Sequence, residues 1–364
     1  MDALGFAYHS FDGAYWMDQL GLALTHAEWS SLERASLDVH AMGLDMVSEA
    51  CRTGDFDAWK LSPLASEMVS LSWSRKDPSV YGRFDLTIDA LGVPKIYEYN
   101  ADTPTSIMEA SRAQTDWADA HGLRSACLLA ELMPKAFERI VALGGTSLAI
   151  AGISTSVEDT ANLFPMVDWA RQAGLDASWR PIDEMQYDHA LALHGFGGES
   201  FEWIFKLFPW EHFAAESLAG SQHLRDTRTR FVEPAWKLLL SSKAFLAEAW
   251  RLHPGHPNLL PCYFEGREGP GLERGYASKP LYSREGANVA LTGADGKLIQ
   301  RETGPYGREG FIRQAYCPMP EPEPGKRFTL GGWIAGDAYA GSCARFTDDH
   351  IVTNVSWTCG CSVD

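Results

Sequence analysis

The sequences Arg83-Phe-Asp-Leu-Thr-Ile-Asp89 and Lys95-Ile-Tyr-Glu-Tyr-Asn100 form the most informative stretch of this chain. The first alternates charged with apolar residues, the second is rich in β-formers, and Ala90-Leu-Gly-Val93 between them is typical of a turn. Pro94 fits this pattern because proline is tolerated at the first residue of a strand. The stretch therefore predicts a β-hairpin.

A turn centred between Leu91 and Gly92 sets the register of this hairpin. The predicted pairs are Thr87 with Ile96, Asp85 with Glu98, and Arg83 with Asn100. Opposed residues on one face have Cβ atoms about 5 Å apart, and two carboxylates at that distance repel unless a cation or proton lies between them. Hard oxygen donors suit Mg²⁺ shared with a phosphate-bearing substrate, and Arg83 could hold the anion. An ordinary solvated hairpin face, or a bulge that changes the register, remains an alternative.

The loop after the second strand supports a binding site. Asn100-Ala-Asp-Thr-Pro-Thr-Ser106 is polar and contains proline, and it leads into Ile107-Met-Glu-Ala-Ser111, which has helical character. Ser or Thr at a helix start can cap the free N–H groups, and those groups can also hold an anionic ligand.

Composition excludes several classes of protein. At 364 residues, with 45% apolar content, the chain can bury one large core or several smaller ones. No segment approaches the roughly 18 uninterrupted apolar residues of a membrane span. A net charge of −17 argues against a nucleic-acid partner and is compatible with a cationic substrate such as a polyamine, although acidity can also simply aid solubility.

The termini and the cysteines indicate a compartment. The N-terminal residues lack the basic and apolar regions of a secretory signal. Seven scattered cysteines contain no CxxC pair, so neither a zinc ribbon nor a disulfide framework is predicted. We therefore expect reduced thiols and a cytoplasmic protein.

Secondary-structure patterns divide the chain. Helices are predicted for 28–49 and from Pro63 to Trp73, and helical stretches for 107–143. Three strands, at 147–152, 175–180 and 190–194, alternate with a helix from Glu158 to Ala173 and predict a small open parallel sheet. Ligands of such sheets lie beyond the carboxyl ends of the strands, where Glu158 and Asp159 occur. The character of the chain changes near residue 230, which predicts a further domain.

A second group of candidate residues follows a short strand, Gly275-Tyr-Ala-Ser-Lys-Pro280. Lys279 near its end, with Arg284 and Gly286 in the next loop, could clamp phosphate: glycine lets the backbone approach closely and arginine offers a fork for the oxygens. GxxxxGK[ST] is absent, so this is not a Walker loop. A surface hairpin tip is the more common explanation of such a pattern.

The C-terminal region predicts more strands. Phe311-Ile-Arg-Gln-Ala-Tyr-Cys317 reads as a strand that enters a Pro-rich loop, which could offer backbone groups to an adenine edge. Leu330–Gly336 and Tyr339–Arg345 read as paired strands joined by a Gly-Asp turn. Arg345 ends near their open end, where it could meet negative charge; a surface ion pair worth at most ~1 kcal/mol is the alternative.

Together these segments resemble the synthetase part of the glutathionylspermidine synthase family over nearly the whole chain. The resemblance rests on the following segments: Arg83-Phe-Asp85, Tyr97-Glu-Tyr-Asn-Ala-Asp-Thr-Pro-Thr105, Glu233-Pro-Ala-Trp236 with Ser242-Lys243, Lys279-Pro280, Arg284-Glu-Gly286 and Gly341-Ser-Cys-Ala-Arg345. It implies an α/β (α+β) chain with an ATP-grasp-like fold, a small pre-ATP-grasp parallel-sheet domain and an N-terminal helical region. The expected division is 1–145 for the N-terminal helices and metal-binding hairpin, 146–230 for the βαβ region, and 231–364 for the nucleotide-binding region.

The resemblance also implies a carboxylate–amine ligase that uses ATP and Mg²⁺ and forms an acyl phosphate. In that assignment Arg83 and Arg345 are catalytic, and Asp85, Glu98 and Asn100 hold the metal. Residues expected at ATP are Lys243, Lys279, Arg284, Gly286, Gln314, Ala315 and Tyr316. Residues expected at the substrates are Thr103, Thr105, Glu158 and Asp159, the two acids as binders of the amine.

The sequence departs from the family in ways that leave the substrates open. The amidase domain of bifunctional members is not expected within these residues, and Leu207 stands where a hydroxyl residue that contacts glutathione is expected. Glutathione or another peptide as the acid, and a polyamine as the amine, therefore remain expectations. A nucleotide-binding regulatory module without turnover and a small-molecule phosphotransferase are the alternative functions.

Overall fold

The structure, a computed structural model, describes residues 6, 9, 15–215 and 221–364. In chain order its strands are β1 Trp16–Leu24, β2 Tyr81–Ile88, β3 Pro94–Asn100, β4 Ser147–Gly152, β5 Asp176–Pro181, β6 Gln186–Asp188, β7 Leu193–Phe196, β8 Glu199–Phe201, β9 Trp203–Lys206, β10 Arg230–Val232, β11 Cys262–Phe264, β12 Gly275–Pro280, β13 Ala290–Gly293, β14 Leu298–Arg301, β15 Phe311–Ala315, β16 Arg327–Ala335, β17 Ala338–Thr347 and β18 Trp357–Val363. Its α-helices are α1 His26–Thr53, α2 Pro63–Ser74, α3 Gln114–Ala120, α4 Leu129–Ala142, α5 Val157–Gln172, α6 Trp210–Phe213, α7 Leu238–Ser241 and α8 Ala244–Leu252.

A six-stranded sheet in the order β1-β18-β17-β16-β2-β3 forms the central layer. Alternation along β16 sends Leu330 and Ile334 into one hydrophobic core, and Trp333 and Ala335 into another. Residues of α1 belong to the first core and residues of α4 to the second. The sheet therefore lies between these two helices. β1, which pairs with β18 in parallel, was not predicted from the sequence.

The two predicted N-terminal helices are confirmed, and their ends have local causes. Thr25 caps α1 through a reciprocal pair of bonds, in which its hydroxyl accepts from the Glu28 N–H and its own N–H donates to the Glu28 carboxylate. Gly54 ends the helix at a φ of +70°, a conformation that glycine adopts without strain. α2 begins with Ser62 as its cap and Pro63 in its first turn.

The predicted parallel sheet is present, but one of its strands was placed wrongly. The sheet has the order β10-β9-β4-β5, and α5 connects β4 with β5. The residues predicted as its third strand, 190–194, instead run into β7, which pairs antiparallel with β6 and β8 in a separate sheet. The reason is the turn at Gly197 and Gly198, both with positive φ, which folds β7 back on β8 as a hairpin. The apolar run in the sequence predicted a strand, but it did not indicate which strands this one pairs with.

The predicted helical stretch 107–143 is interrupted. A π-helical segment, Glu109–Ala113, runs directly into α3, and residues 121–128 then leave the helix before α4 begins. A fourth sheet, with the order β11-β15-β12-β13-β14, contains the predicted strands around Lys279 and 311–315.

The predicted domain boundaries near 145 and 230 remain predictions. The six-stranded sheet combines strands from the first and the third predicted segments. All seven cysteines are free thiols. Within the described residues, no helix combines the length and the apolar character needed to cross a bilayer.

Candidate active site

The predicted oxygen donors lie opposite one another or in adjacent pairs on the two strands of the β2–β3 hairpin. Asp85 pairs with Glu98 and Arg83 with Asn100, which confirms the register predicted for these two pairs. The residues between these pairs, Phe84 and Tyr99, point to the opposite face of the sheet. Their rings stack with centroids 3.8 Å apart in the core that α1 covers. The two carboxylates therefore lie on one face of the sheet.

The predicted pairing of Thr87 with Ile96 is wrong. Thr87 pairs with Lys95, and Ile96 pairs with Leu86, because the register shifts by one residue between Asp85 and Leu86. Tyr97 is the extra residue on β3, and such a bulge leaves the pairing on the other side of it intact. The error is confined to the turn end of the hairpin, away from the charged pairs.

The candidate site residues are brought together by the fold. A cavity of about 500 Å³ is lined by every residue that the sequence assigned to metal, nucleotide, substrate or catalysis. Those residues are Arg83, Asp85, Glu98, Asn100, Thr103, Thr105, Glu158, Asp159, Lys243, Lys279, Arg284, Gly286, Gln314, Ala315, Tyr316 and Arg345. A volume of this size suits a small-molecule site. These predicted residues come from segments spread over positions 83 to 345 of the chain.

Arg83 is held rigidly at the floor of the cavity. Its Nε donates to Asp85 Oδ1 at 2.9 Å and its Nη1 donates to the Thr105 carbonyl at 2.7 Å. The guanidinium lies over the Trp333 ring, 5.6 Å from its centroid. Gly331 leaves room for it, because a Cβ there would lie 3.0 Å from Arg83 Cδ. Arg83 is 7% exposed, so this charge is fixed beside the donors.

Glu98 is ionised by its basic neighbours. Its Oε2 lies 3.1 Å from Lys243 Nζ, and its Oε1 accepts from Asn100 Nδ2 at 3.1 Å. Burial opposes ionisation, but the charges of Lys243 and Lys279 hold the pKa of Glu98 at about 2. The Glu98 side chain is therefore a full carboxylate at neutral pH.

The donor set fits a hard divalent ion. Within residues 15–215 and 221–364, no group of three His, Cys, Asp or Glu side chains is arranged to hold a metal. Asp85 and Glu98 supply two carboxylates, and the Asn100 amide oxygen is not used in the bond to Glu98. Two carboxylates with further ligands from water and phosphate are the usual surroundings of Mg²⁺. The oxygen donors are thus compatible with Mg²⁺ only if a substrate or water completes the coordination.

The two lysines approach this face from different elements, one from the start of a helix and one from a strand. Lys243 precedes α8 and donates to the Ser283 carbonyl at 2.9 Å. Lys279 on β12 donates to Gln314 Oε1 at 2.7 Å and to the Tyr97 carbonyl at 3.0 Å. Burial lowers the pKa of Lys279 to about 8, with the Glu98 carboxylate opposing that effect.

The loop after β12 makes contacts that the sequence did not suggest. Arg284 Nη2 forms an ion pair with Glu211 Oε1, so its charge is balanced by a residue from α6. Gly286 has a φ of +72°, and a Cβ there would lie 2.7 Å from Ile351 Cγ2 and 2.8 Å from the Val352 carbonyl. The close approach that this glycine permits is to another loop of the protein. Phosphate contact by either residue stays a prediction.

Gln314, Ala315 and Tyr316 line the cavity, but their backbone donors are engaged. The Ala315 N–H donates to the Pro261 carbonyl at 2.7 Å, and the Tyr316 N–H to the Gly275 carbonyl at 2.9 Å. Any contact with adenine at these two residues would have to use carbonyl oxygens or side chains.

Arg345 carries an unbalanced charge. β16 and β17 pair as predicted, with Arg345 opposite Thr329. Arg345 Nη2 donates to the Thr353 carbonyl at 2.7 Å, and its Nε is buried without a hydrogen-bond partner among the described residues. No carboxylate of the described chain forms an ion pair with it, so the surface ion pair considered from the sequence is not found. A buried guanidinium donor that faces a cavity favours binding of an anion.

The residues predicted to bind the substrates lie just before or at the start of two helical segments. Thr103 and Thr105 lie in the loop before the π-helical segment, and Glu158 and Asp159 lie in the first turn of α5. Ser156 caps α5 by accepting from the Asp159 N–H at 3.1 Å. Asp159 is partly buried, and this burial raises the pKa of its carboxyl group.

Sequence reasoning missed several residues of the cavity wall. These include Tyr15, Glu211, His350 and Asn354. Tyr97, a further wall residue, belongs to a motif that carries the family resemblance but was given no role. Nothing in the sequence around Tyr15 or His350 pointed to the site. They reach it through tertiary contacts, because their own segments carry no recognisable pattern.

Comparison with known proteins gives consistent results. A family model described as glutathionylspermidine synthase preATP-grasp matches residues 1–364. A putative acid–amine ligase of Haemophilus influenzae is 32% identical, and the match covers 96% of this chain and 94% of that protein.

More distant relatives are longer. The trypanothione synthetase of Crithidia fasciculata is 26% identical over 78% of this chain and 47% of its own length. The bifunctional glutathionylspermidine synthetase/amidase of Escherichia coli is 24% identical over 92% of this chain and 57% of its own length. The chain thus spans about half of each of these two proteins.

Solved structures support the fold. A glutathione synthetase-like effector from Globodera pallida superposes with a TM-score of 0.54 at 12% identity, over 94% of this chain and 89% of that one. At that identity the likeness concerns the architecture alone.

Proposed function

Because the chain belongs to the glutathionylspermidine synthase preATP-grasp family, we propose that it is an ATP-dependent acid–amine ligase. In this reaction ATP phosphorylates a carboxylate, and a primary amine attacks the resulting acyl phosphate to form an amide. The observation that carries the proposal is the hairpin register, which places Asp85 opposite Glu98 beside Arg83 in a cavity that Lys243 and Lys279 also line.

Fixed positive charge is what phosphoryl transfer needs from a protein. Lys243 at the start of α8 and Lys279 on β12 line the same wall, where they would bind the phosphates of ATP. The position of Gln314, Ala315 and Tyr316 on that wall supports a role at the adenine.

Asp85, Glu98 and Asn100 would hold Mg²⁺, which neutralises charge on the migrating phosphoryl group when bound. Arg83 would bind the substrate carboxylate and then the acyl phosphate. Its bonds to Asp85 and to the Thr105 carbonyl fix its orientation before substrate arrives, so little reorganisation is needed. Arg345, with its unbalanced charge, would stabilise the same anion.

The substrates are proposed from residue chemistry and from relatives. Glu158 and Asp159 would bind the ammonium group of the amine, and Thr103 and Thr105 the acid. The names of two relatives specify glutathionylspermidine and trypanothione synthesis, which supports a peptide as the acid and a polyamine as the amine. Leu207, an apolar residue of the cavity wall, supports an acid other than glutathione.

The test is an ADP-release assay in which a panel of γ-glutamyl peptides and amino acids is crossed with polyamines. We expect ADP only when an acid and an amine are both present. Asp85→Asn and Glu98→Gln should each lower kcat by at least ~10²-fold, because they remove preorganised charge at the reacting phosphate. Asp119→Asn and Glu138→Gln, at exposed helical positions, are the matched controls.

Each contrary result has a meaning. Full turnover in Asp85→Asn and Glu98→Gln would refute the site. ADP release with a single acceptor would identify a phosphotransferase. Calorimetry that shows ATP binding without turnover on any pair of substrates would identify a binding module.

A further inference from the structure

The amine end of the cavity contains more acidic groups than binding of one ammonium requires. Glu158, its neighbour Asp159 on α5, Glu285 from the loop after β12 and Arg345 from β17 line the same cavity. The charges of the other three groups and of Glu109, from the π-helical segment, all act on the Glu158 carboxyl.

Tyr15 holds the Glu109 side chain in place, and Asn162 ties the helical segment of Glu109 to α5. Its side chain is fully buried, and Tyr15, which lines the cavity, donates its hydroxyl to Glu109 Oε1 at 2.8 Å. Asn162 connects the two helical segments, because its Oδ1 accepts from the Ile107 N–H at 2.6 Å and its Nδ2 donates to the Glu158 carbonyl at 2.9 Å. The start of the Glu109 segment is thus tied to the first turn of α5.

Burial and these neighbouring carboxylates raise the proton affinity of the Glu158 carboxylate. Burial, followed by the charges of Glu109, Asp159 and Glu285, raises the pKa of Glu158 to about 7, and Arg345 opposes the shift. A carboxylate whose proton affinity lies near the working pH is a far better base than an ordinary one.

Building on the ligase function proposed above, we propose that Glu158 removes the proton from the substrate ammonium, and that Glu109 is the positioning residue that makes Glu158 basic enough to do so. An alkylammonium has no lone pair, so it cannot attack a carbonyl. The N–H bond breaks, its electron pair stays on nitrogen, and the proton goes to a Glu158 oxygen.

The free amine then forms the amide and releases phosphate. The amine nitrogen forms a bond to the carbonyl carbon of the acyl phosphate, and the bond from that carbon to the phosphate oxygen breaks with its electron pair on the departing phosphate. The second proton of the nitrogen leaves with the phosphate. Glu158 then returns its own proton to solvent. Arg345 lines the same cavity as Glu158 and Tyr15, and its charge acts on both groups.

Hydroxylamine separates this step from the rest of the reaction. It is uncharged at neutral pH and traps an acyl phosphate as a hydroxamate without a protein base. Glu158→Gln should therefore lower amide formation from a polyamine by about 10²-fold and leave hydroxamate formation at saturating hydroxylamine within about two-fold of the wild-type protein. Glu138→Gln should change neither.

The outcomes are distinguishable. If the wild-type protein forms neither amide nor hydroxamate with any acid, the ligase function itself fails. If it forms both, and Glu158→Gln keeps the wild-type rate of amide formation, the ligase stands and Glu158 is not the base. An equal loss of amide and hydroxamate in Glu158→Gln would also overturn the proposal, because the residue would then act before the amine step.

Glu109 is tested by the pH profile of kcat/KM for the amine. A base must be ionised, so this parameter rises with pH through the pKa of Glu158. Glu109→Gln removes a like charge and should move that limb to lower pH by about one unit, with hydroxamate formation retained. A purely structural role would lower the rate at every pH and leave the position of the limb unchanged, and that result would refute the assignment of Glu109.

Discussion

At the scale of single residues, the site is a set of charges that would be costly to bury alone. Glu98 stays ionised because Lys243 and Lys279 adjoin it, and Arg83 is matched by Asp85. Without its charged neighbours, each of these groups would be buried unpaired, at a high cost in free energy. Such a set of paired charges is expected in a cavity that binds a polyanion and a cation.

Lys279 gives a prediction about pH. Its pKa of about 8 means that the charge is present below that pH and is lost as the pH rises through it. We therefore expect kcat/KM for ATP to fall above pH 8 in the free enzyme. Lys279→Arg, which keeps its charge, should shift this decline to higher pH, and Lys279→Ala should raise KM for ATP at all pH values. A descending limb that is identical in Lys279→Arg and the wild type would contradict a phosphate-binding role.

At the scale of elements, two loops and α6 converge over the cavity. Arg284 and Glu211 join the loop after β12 to α6, and Gly286 packs that loop against residues 351–353. No local sequence pattern indicates these contacts, because each joins the loop after β12 to a distant segment of the chain.

Gly286→Ala tests the loop contact. The added Cβ would meet Ile351 and Val352 and should push the two loops apart, in addition to the strain of a φ of +72°. We expect KM for ATP to rise and the free energy of unfolding to fall by more than the ~1 kcal/mol of backbone strain alone. Gly296→Ala is the matched control, since Gly296 has a φ of +76° and nothing lies within 4 Å of its Cβ position. Equal losses in the two variants would show that the contact at Gly286 has no effect of its own.

At the scale of the whole molecule, buried polar contacts hold the six-stranded and four-stranded sheets together. Asp102 follows β3, and Lys206 ends β9; Lys206 Nζ lies 3.0 Å from Asp102 Oδ1, and both side chains are almost fully buried. Asp102 Oδ2 also accepts from the Trp210 N–H at 2.7 Å. The loop with Thr103 and Thr105 is thereby fixed against the loop that contains Leu207.

Removal of one partner should destabilise the protein strongly. Lys206→Met leaves Asp102 buried without its counter-ion, so we expect a loss of about 3–5 kcal/mol in the free energy of unfolding, measured by urea denaturation. The double variant Lys206→Met/Asp102→Asn should recover part of that loss. Arg225→Met, which breaks a pair with Glu67 whose side chains are about half exposed, should cost less than about 1 kcal/mol. A similar small cost at Lys206 would show that the buried pair does not hold the sheets together.

Local patterns along the chain predict the hairpin, its charged pairs, the N-terminal helices and the family, because each depends on alternation, on capping residues, or on motifs in order. The folded chain alone shows that Tyr15 reaches Glu109, that Arg284 pairs with Glu211, that 190–194 leads into an antiparallel sheet, and that Tyr97 forms a bulge. These contacts join segments far apart in sequence or depend on competition between partners, and their free energies are set by burial and packing that no short pattern records.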